Sequence, residues 1–207
     1  MKTLAIELSS KRGSLAWLDD ETGFESEWDN DRKHSGTFFE NLSKVRSQFG
    51  MPQRIIVGLG PGSYAGVRIA LSTAIGLQAA SGAGLIGYPS ICAMACDADD
   101  YLVVGDARRG SFYLAEVAQR KMANDIQLHG TAEFKAYLDG MKSQLPIFSS
   151  DYLPEFGRIE MKHPSAKILA RLAQIEDGRF LLPPLQPIYL REPHITTPKM
   201  VARGFAS

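Results

Sequence analysis

Glycines and a serine carry the sharpest chemical signal in the chain. Gly58-Leu59-Gly60-Pro61-Gly62-Ser63 joins an apolar run, 54–59, to a long segment without proline, 64–81. A glycine-rich turn between a buried strand and a helix leaves backbone N–H groups free at the positive end of the helix dipole, where an anion is stabilised. Yet the spacing is neither Gly-x-Gly-x-x-Gly nor a P-loop, and no lysine follows to reach a phosphate. The plainer reading is a tight strand-to-helix turn, capped by Ser63, whose glycines permit close packing. Other chemistry finds thinner support. Glu7 ends the first apolar run as an acid that could serve a metal, but the turn after it lacks an early glycine for phosphates. The histidines, His34, His129, His163 and His194, form no zinc-type pair. No Gly-x-Ser-x-Gly elbow is present for a serine nucleophile. Cys92 and Cys96 are not a Cys-x-x-Cys pair and read as small hydrophobes in a reduced protein.

The segment after the turn carries a second pattern. Gly66, Ala70 and Ala74 recur at every fourth position, and so do Ser72, Gly76 and Ala80. Ridges of small residues let another element approach a helix closely. Glycine inside a helix costs about 1 kcal/mol relative to alanine, so Gly66 and Gly76 need a packing reason. One ridge can meet the helix's own sheet, which leaves the other for a partner protein; the pattern does not say which.

The elements that must hold these residues follow from periodicity. Three strands are expected at 4–8, 13–18 and 24–28, separated by polar turns. Apolar residues at Phe38, Phe39, Leu42, Val45 and Phe49 make one helical stripe, with Ser35 as its cap and Gly50 and Pro52 as its stop. A central strand at 54–59, a helix at 64–81, a strand at 85–88 and a helix opened by Pro89 that carries both cysteines come next. Beyond these lie a hairpin about Gly105-Asp106-Ala107-Arg108-Arg109-Gly110, a helix at 132–138, a strand at 145–148 and a helix at 165–175. The prolines of 182–187 keep that stretch extended. Three strands, then alternating helix and strand, are the order of an α/β lobe of the ribonuclease-H-like kind, flanked by helices. The expected division is a lobe at 1–100 and a smaller one at 101–207, whose last residues can return to the first.

Bulk properties exclude several classes. The 207 residues hold 23 Lys+Arg against 23 Asp+Glu. A chain that grips nucleic acid or an anionic membrane by itself needs a basic surplus. No run nears the roughly 20 apolar residues of a membrane span, and the N-terminus does not read as a signal peptide. A cytoplasmic protein is expected.

The run 58–69, Gly-Leu-Gly-Pro-Gly-Ser-Tyr-Ala-Gly-Val-Arg-Ile, followed by Ser72-Thr73-Ala74-Ile75-Gly76-Leu77, resembles the signature of the TsaB (YeaZ) family. Arg32-Lys33-His34-Ser35, Tyr88-Pro89-Ser90, the hairpin 105–113 and the closing Pro187-Ile188-Tyr189-Leu190-Arg191 resemble further family segments in order. The resemblance implies an actin-like ATPase fold with a reduced second lobe. It further implies a non-catalytic subunit with a TsaD-like paralogue and a TsaE-like ATPase as partners, in transfer of threonylcarbamoyl to tRNA adenosine. It implies a homodimer of the chain alone, no cofactor bound by this chain alone, a nucleotide at a partner interface, and tRNA met only through the complex. Interface residues implied on the two outer helices are Phe38, Leu42 and Val45, then Gly62, Ser63, Gly66, Arg68, Ala70, Ser72, Thr73, Ala74 and Gly76. Glu7, Gly36, Ala65 and Ala70 depart from the usual Asp, Glu, Thr and Gly. The alternative is an enzyme of the same superfamily, a small ATP-binding phosphotransferase or a metal-dependent glycoprotease.

Overall fold

A computed structural model describes residues 1–20, 22–30, 36–141, 144–175 and 177–191. Two sheets form its frame. The first holds β1 (Thr3–Glu7), β2 (Arg12–Leu18), β3 (Gly23–Asp29), β4 (Arg54–Gly58) and β5 (Gly84–Tyr88) in the order β3-β2-β1-β4-β5. β2 runs antiparallel to β1 and β3, while β4 is parallel to both β1 and β5. The parallel crossovers use helices α1 (Gly36–Phe49) and α2 (Tyr64–Ser81). This mixed sheet flanked by helices, with a second sheet after it, is the actin-like, ribonuclease-H-like fold.

Alternation along the strands explains both layers of the core. Leu4 and Ile6 face one side, opposite Trp17 and Leu15, and pack under Phe38, Leu42 and Val45 of α1 and Ala70, Leu71, Ala74 and Leu77 of α2. Ala5, Ala16 and Ile56 face the other side and join a second core. A central parallel strand is buried on both faces, which is why 54–58 shows no polar alternation.

The second sheet has β6 (Tyr101–Asp106), β7 (Ser111–Ala118), β8 (Lys121–Met122), β9 (Gln127–Gly130), β10 (Ile147–Ser149) and β11 (Ile159–Met161). Its order is β11-β10-β6-β7-β8, with β9 also paired to β7. Helix α3 (Thr131–Gly140) lays Phe134 and Leu138 on its outer face beside Phe112 and Phe156. The inner face turns Tyr101, Val103, Ala115 and Val117 toward the first sheet. Helix α4 (Ala166–Leu172), capped by Ser165, packs against β1 and β2 and shares the core with both sheets. Beyond it the chain returns to the first sheet: Leu181 bridges Gly87, and the Ile188 amide donates to Leu59 O at 2.8 Å.

Three expectations are revised. The helix expected after Pro89 is only a 3-10 turn, Ser90–Ala93. Pairing with the segment before α4 unwinds the rest: Ser165 N–H donates to Ala93 O, Met94 bridges Pro164, and Ala95 N–H donates to His163 O. Cys92 is therefore buried outside any α-helix, and burial pushes its thiol up to about 12. The helix expected at 165–175 ends at Leu172. The short edge strands β8, β9 and β11 were not anticipated, because two to four residues are too few to show a period. The expected cap of α1, Ser35, lies outside the described residues.

Candidate functional site

The glycine-rich turn is a packing device first. Gly60 has φ of +86°, a left-handed conformation that favours glycine. A Cβ on Gly62 would overlap the Ser9 carbonyl oxygen, and one on Gly66 would overlap that of Leu8. Both glycines let the start of α2 press on the turn after β1. The Ser63 amide donates to Ser9 O at 2.6 Å, and Ser63 Oγ accepts from the Gly66 amide at 3.2 Å. Ser63 is the helix cap, as the plainer sequence reading expects.

Glu7 lies beneath this turn and does not open onto solvent. It is fully buried, its Oε1 accepts the Ser9 amide at 2.6 Å, and Oε2 has no hydrogen-bond partner among the described residues. Burial raises its pKa above the ordinary carboxyl value, offset in part by the Ser9 hydroxyl and amide and by the Ser90 hydroxyl. Glu7 is fully buried against Gly58, and no group of three or more potential ligands gathers around it among the described residues, so the structure does not place it as the metal ligand that sequence chemistry allowed.

The two ridges of α2 separate cleanly. Gly66, Ala70 and Ala74 are buried, with both alanines at 0% exposure, and they face the chain's own sheet. Phe38, Leu42 and Val45 of α1 are buried in that same core. These six residues pack inward, and the contacts that the structure gives them are with the chain's own core. Ser72 and Gly76 are exposed, Thr73 is half-buried, and a Cβ on Gly76 would meet open space. Gly62 is exposed and Ser63 half-buried where α2 begins. On the outer surface of the two helices, Phe39 stands 51% exposed and Ile75 48% exposed. The sequence pattern singles out neither for this surface: Ile75 falls between the ridges, and Phe39 belongs to the apolar stripe of α1. Arg68 is exposed, donates to the Tyr64 hydroxyl, and lies 4.6 Å over the Tyr64 ring.

A cleft of about 1120 Å³ opens between the sheets. One wall is the turn after β1 and the start of α2, with Ser10, Lys11 and Ser63. The other is the β6–β7 turn, with Asp106, Arg108, Arg109 and the buried Tyr113. The returning segment closes one side, where Tyr189 packs on Tyr64 with ring centroids 5.3 Å apart. Sequence reasoning took 182–187 only as extended chain and gave 188–191 a family resemblance without a role; the Tyr64–Tyr189 contact joins residues too far apart in sequence to be read from a pattern.

The chain has relatives that match this architecture. The family described as TsaD, tRNA N6-adenosine threonylcarbamoyltransferase, matches residues 32–140, just over half the chain. A crystal structure described as an uncharacterized protein with similarity to peptidase YeaZ, from Pseudomonas aeruginosa, superposes with a TM-score of 0.71 at 19% identity, covering 92% of this chain and 99% of that one. A structure of YeaZ from Pseudomonas aeruginosa gives 0.68 at 18% identity, covering 91% and 99%. No curated protein matches. With its matched span, its signature turn and its two-sheet frame, this chain belongs to the TsaD family of tRNA N6-adenosine threonylcarbamoyltransferase and has the YeaZ fold.

Proposed function

We propose that the chain is a non-catalytic subunit of the system that places threonylcarbamoyl on tRNA adenosine, and that it acts by docking a TsaD-like paralogue on the outer face of α1 and α2. The observation that carries this reading is that α1 and α2 cover the same face of the first sheet and expose Phe39 on one helix and Ile75 and the open Gly76 on the other. Apolar residues exposed on helices that cover one sheet face offer a partner a surface to bury, and Gly76 lets its backbone come close. The same face serves a homodimer when the paralogue is absent. A TsaE-like ATPase joins the assembly, nucleotide sits at the partner interface, and tRNA is met only through the complex. A neutral chain supports this division, because the RNA grip then belongs to a partner. The setting is cytoplasmic, and no helix among the described residues is long and apolar enough to cross a membrane.

Co-purification with the paralogue tests the reading. Ile75→Glu and Gly76→Trp change exposed positions, so the fold is expected to survive while the paralogue no longer co-elutes. Unaltered co-elution by both variants, or no co-elution of the wild-type chain, overturns the proposal.

A further inference from the structure

We propose that the outer edge of β3 takes up a basic, extended segment of a partner protein as an added strand of the first sheet. β3 ends the order β3-β2-β1-β4-β5, and no strand among the described residues pairs with its outer side. The opposite edge, β5, is covered where Gly87 pairs with Leu181. β8 and β11, the ends of the second sheet, have only two and three residues. β3 has seven, with no lysine, no proline and no break in its register along β2. Folded proteins ordinarily avoid a long, regular edge of this kind, because its outward N–H and C=O groups accept a further strand.

The register says which groups point outward. The Asn30 amide donates to Lys11 O at 2.6 Å and the Asp19 amide to Thr22 O at 3.0 Å, so Phe24, Ser26 and Trp28 exchange their hydrogen bonds with β2. The amides and carbonyls of Glu25, Glu27 and Asp29 therefore point away from the sheet. Six Asp and Glu and no Lys or Arg lie within 19–29, in a chain whose formal net charge is zero. Lys167 pairs with Glu25 at 2.8 Å, Arg12 lies 3.5 Å from Glu27 and 3.9 Å from Asp29, and the N-terminal amine pairs with Asp20 at 2.9 Å. The acids still outnumber these cations. A Lys or Arg on the added strand, opposite Glu25 or Glu27, makes a favourable cross-strand pair, whereas a second copy of β3 sets acid against acid. The other face of β3 presents Phe24 and Trp28, half-buried against Phe49 and Phe38 of α1. The added strand thus alternates basic and apolar residues.

This edge is distinct from the outer face of α1 and α2, so its failure leaves the docking reading untouched. The probe is an acetylated peptide of alternating Lys and Val, as long as β3, with its Glu–Val counterpart as control. In calorimetric titrations of the full chain at low salt, the Lys–Val peptide is expected to bind saturably and the Glu–Val peptide not to bind. Hydrogen exchange read by NMR should slow at the Glu25 and Glu27 amides, while Phe24 and Ser26, already bonded to β2, change little. Glu27→Lys combined with Asp29→Lys reverses charge at two exposed positions and should weaken binding about tenfold or more. Glu27→Pro removes an outward N–H from an edge strand, where proline is tolerated, and should abolish binding with an unchanged circular dichroism spectrum. No saturable binding, equal binding of both peptides, protection confined to other amides, or binding that the charge reversal leaves unchanged overturns the proposal. A dimer in light scattering that Glu27→Pro dissolves also overturns it, by assigning the edge to a second copy.

Discussion

The carboxyl of Glu7 rests on the α-carbon of Gly58, so closely that a methyl group at Gly58 would overlap Oε2 and stand 2.6 Å from Ser90 Oγ. One acid at the end of β1 thus dictates glycine at the end of β4. Glycine is needed there for space, not for an unusual backbone angle. The Ser90 hydroxyl accepts the Gly60 amide at 2.9 Å, which ties this packing to the turn that starts α2.

Gly58→Ala is expected to destabilise the fold by about 1–3 kcal/mol through overpacking. In a Glu7→Ala background the same change should cost less, because the methyl then enters vacated space. A double-mutant cycle by urea denaturation reads this coupling, expected at roughly 1 kcal/mol or more. Additive effects would mean that the two side chains do not compete for one volume.

Glu7 also makes a pH prediction. Its folded-state pKa is raised by burial, so the folded state holds the proton more firmly than the unfolded chain does. Stability from this group is whole below the ordinary carboxyl range and is lost as pH climbs through the raised value. Glu7→Gln resembles the protonated acid and removes that loss. Denaturation midpoints of wild type and Glu7→Gln should lie close at pH 4 and separate toward pH 8, with the variant more stable.

His163 works in the opposite direction. Burial, then the positive charge of Arg12, lowers its pKa, and its Nδ1 lies 3.2 Å from Ser10 Oγ. The unfolded chain takes up a proton here before the folded one does. The neutral ring's contribution is present above the ordinary imidazole value and declines as pH falls through the lowered one. Wild type should lose stability between pH 7 and pH 5, and His163→Gln should reduce that slope in a denaturation series.

The two ridges of α2 should respond in opposite ways. Ala74→Trp forces an indole into a site with no exposure and should cost about 1–3 kcal/mol or more. Gly76→Ala meets open space and should stabilise the monomer by roughly 0.5–1 kcal/mol through helix propensity. Thermal melts of the two variants distinguish the faces. Equal effects would show that α2 does not present them as described.

Much of the first lobe was legible in the sequence because its signals are local. The strand at 54–58, the Ser63 cap and the helix at 64–81 each depend on residues within a few positions of one another. The failures were of another kind. The residues 90–96 have the composition of a helix, yet their backbone pairs with 163–165, some seventy positions away. Glu7 looked like a free acid because its sequence neighbours say nothing of Gly58 lying over it.

Sequence alone determined the order of elements, the signature turn and the presence of two small-residue ridges, since spacing along one chain sets helix faces and strand alternation. Tertiary structure alone decided which ridge stays outside, because the faces of a helix become unequal only when a sheet covers one of them. It also decided that Lys11, Arg109 and Arg191 share one cleft. Charges from three separate segments meet only after the two sheets pack around α4 and the chain turns back across β5.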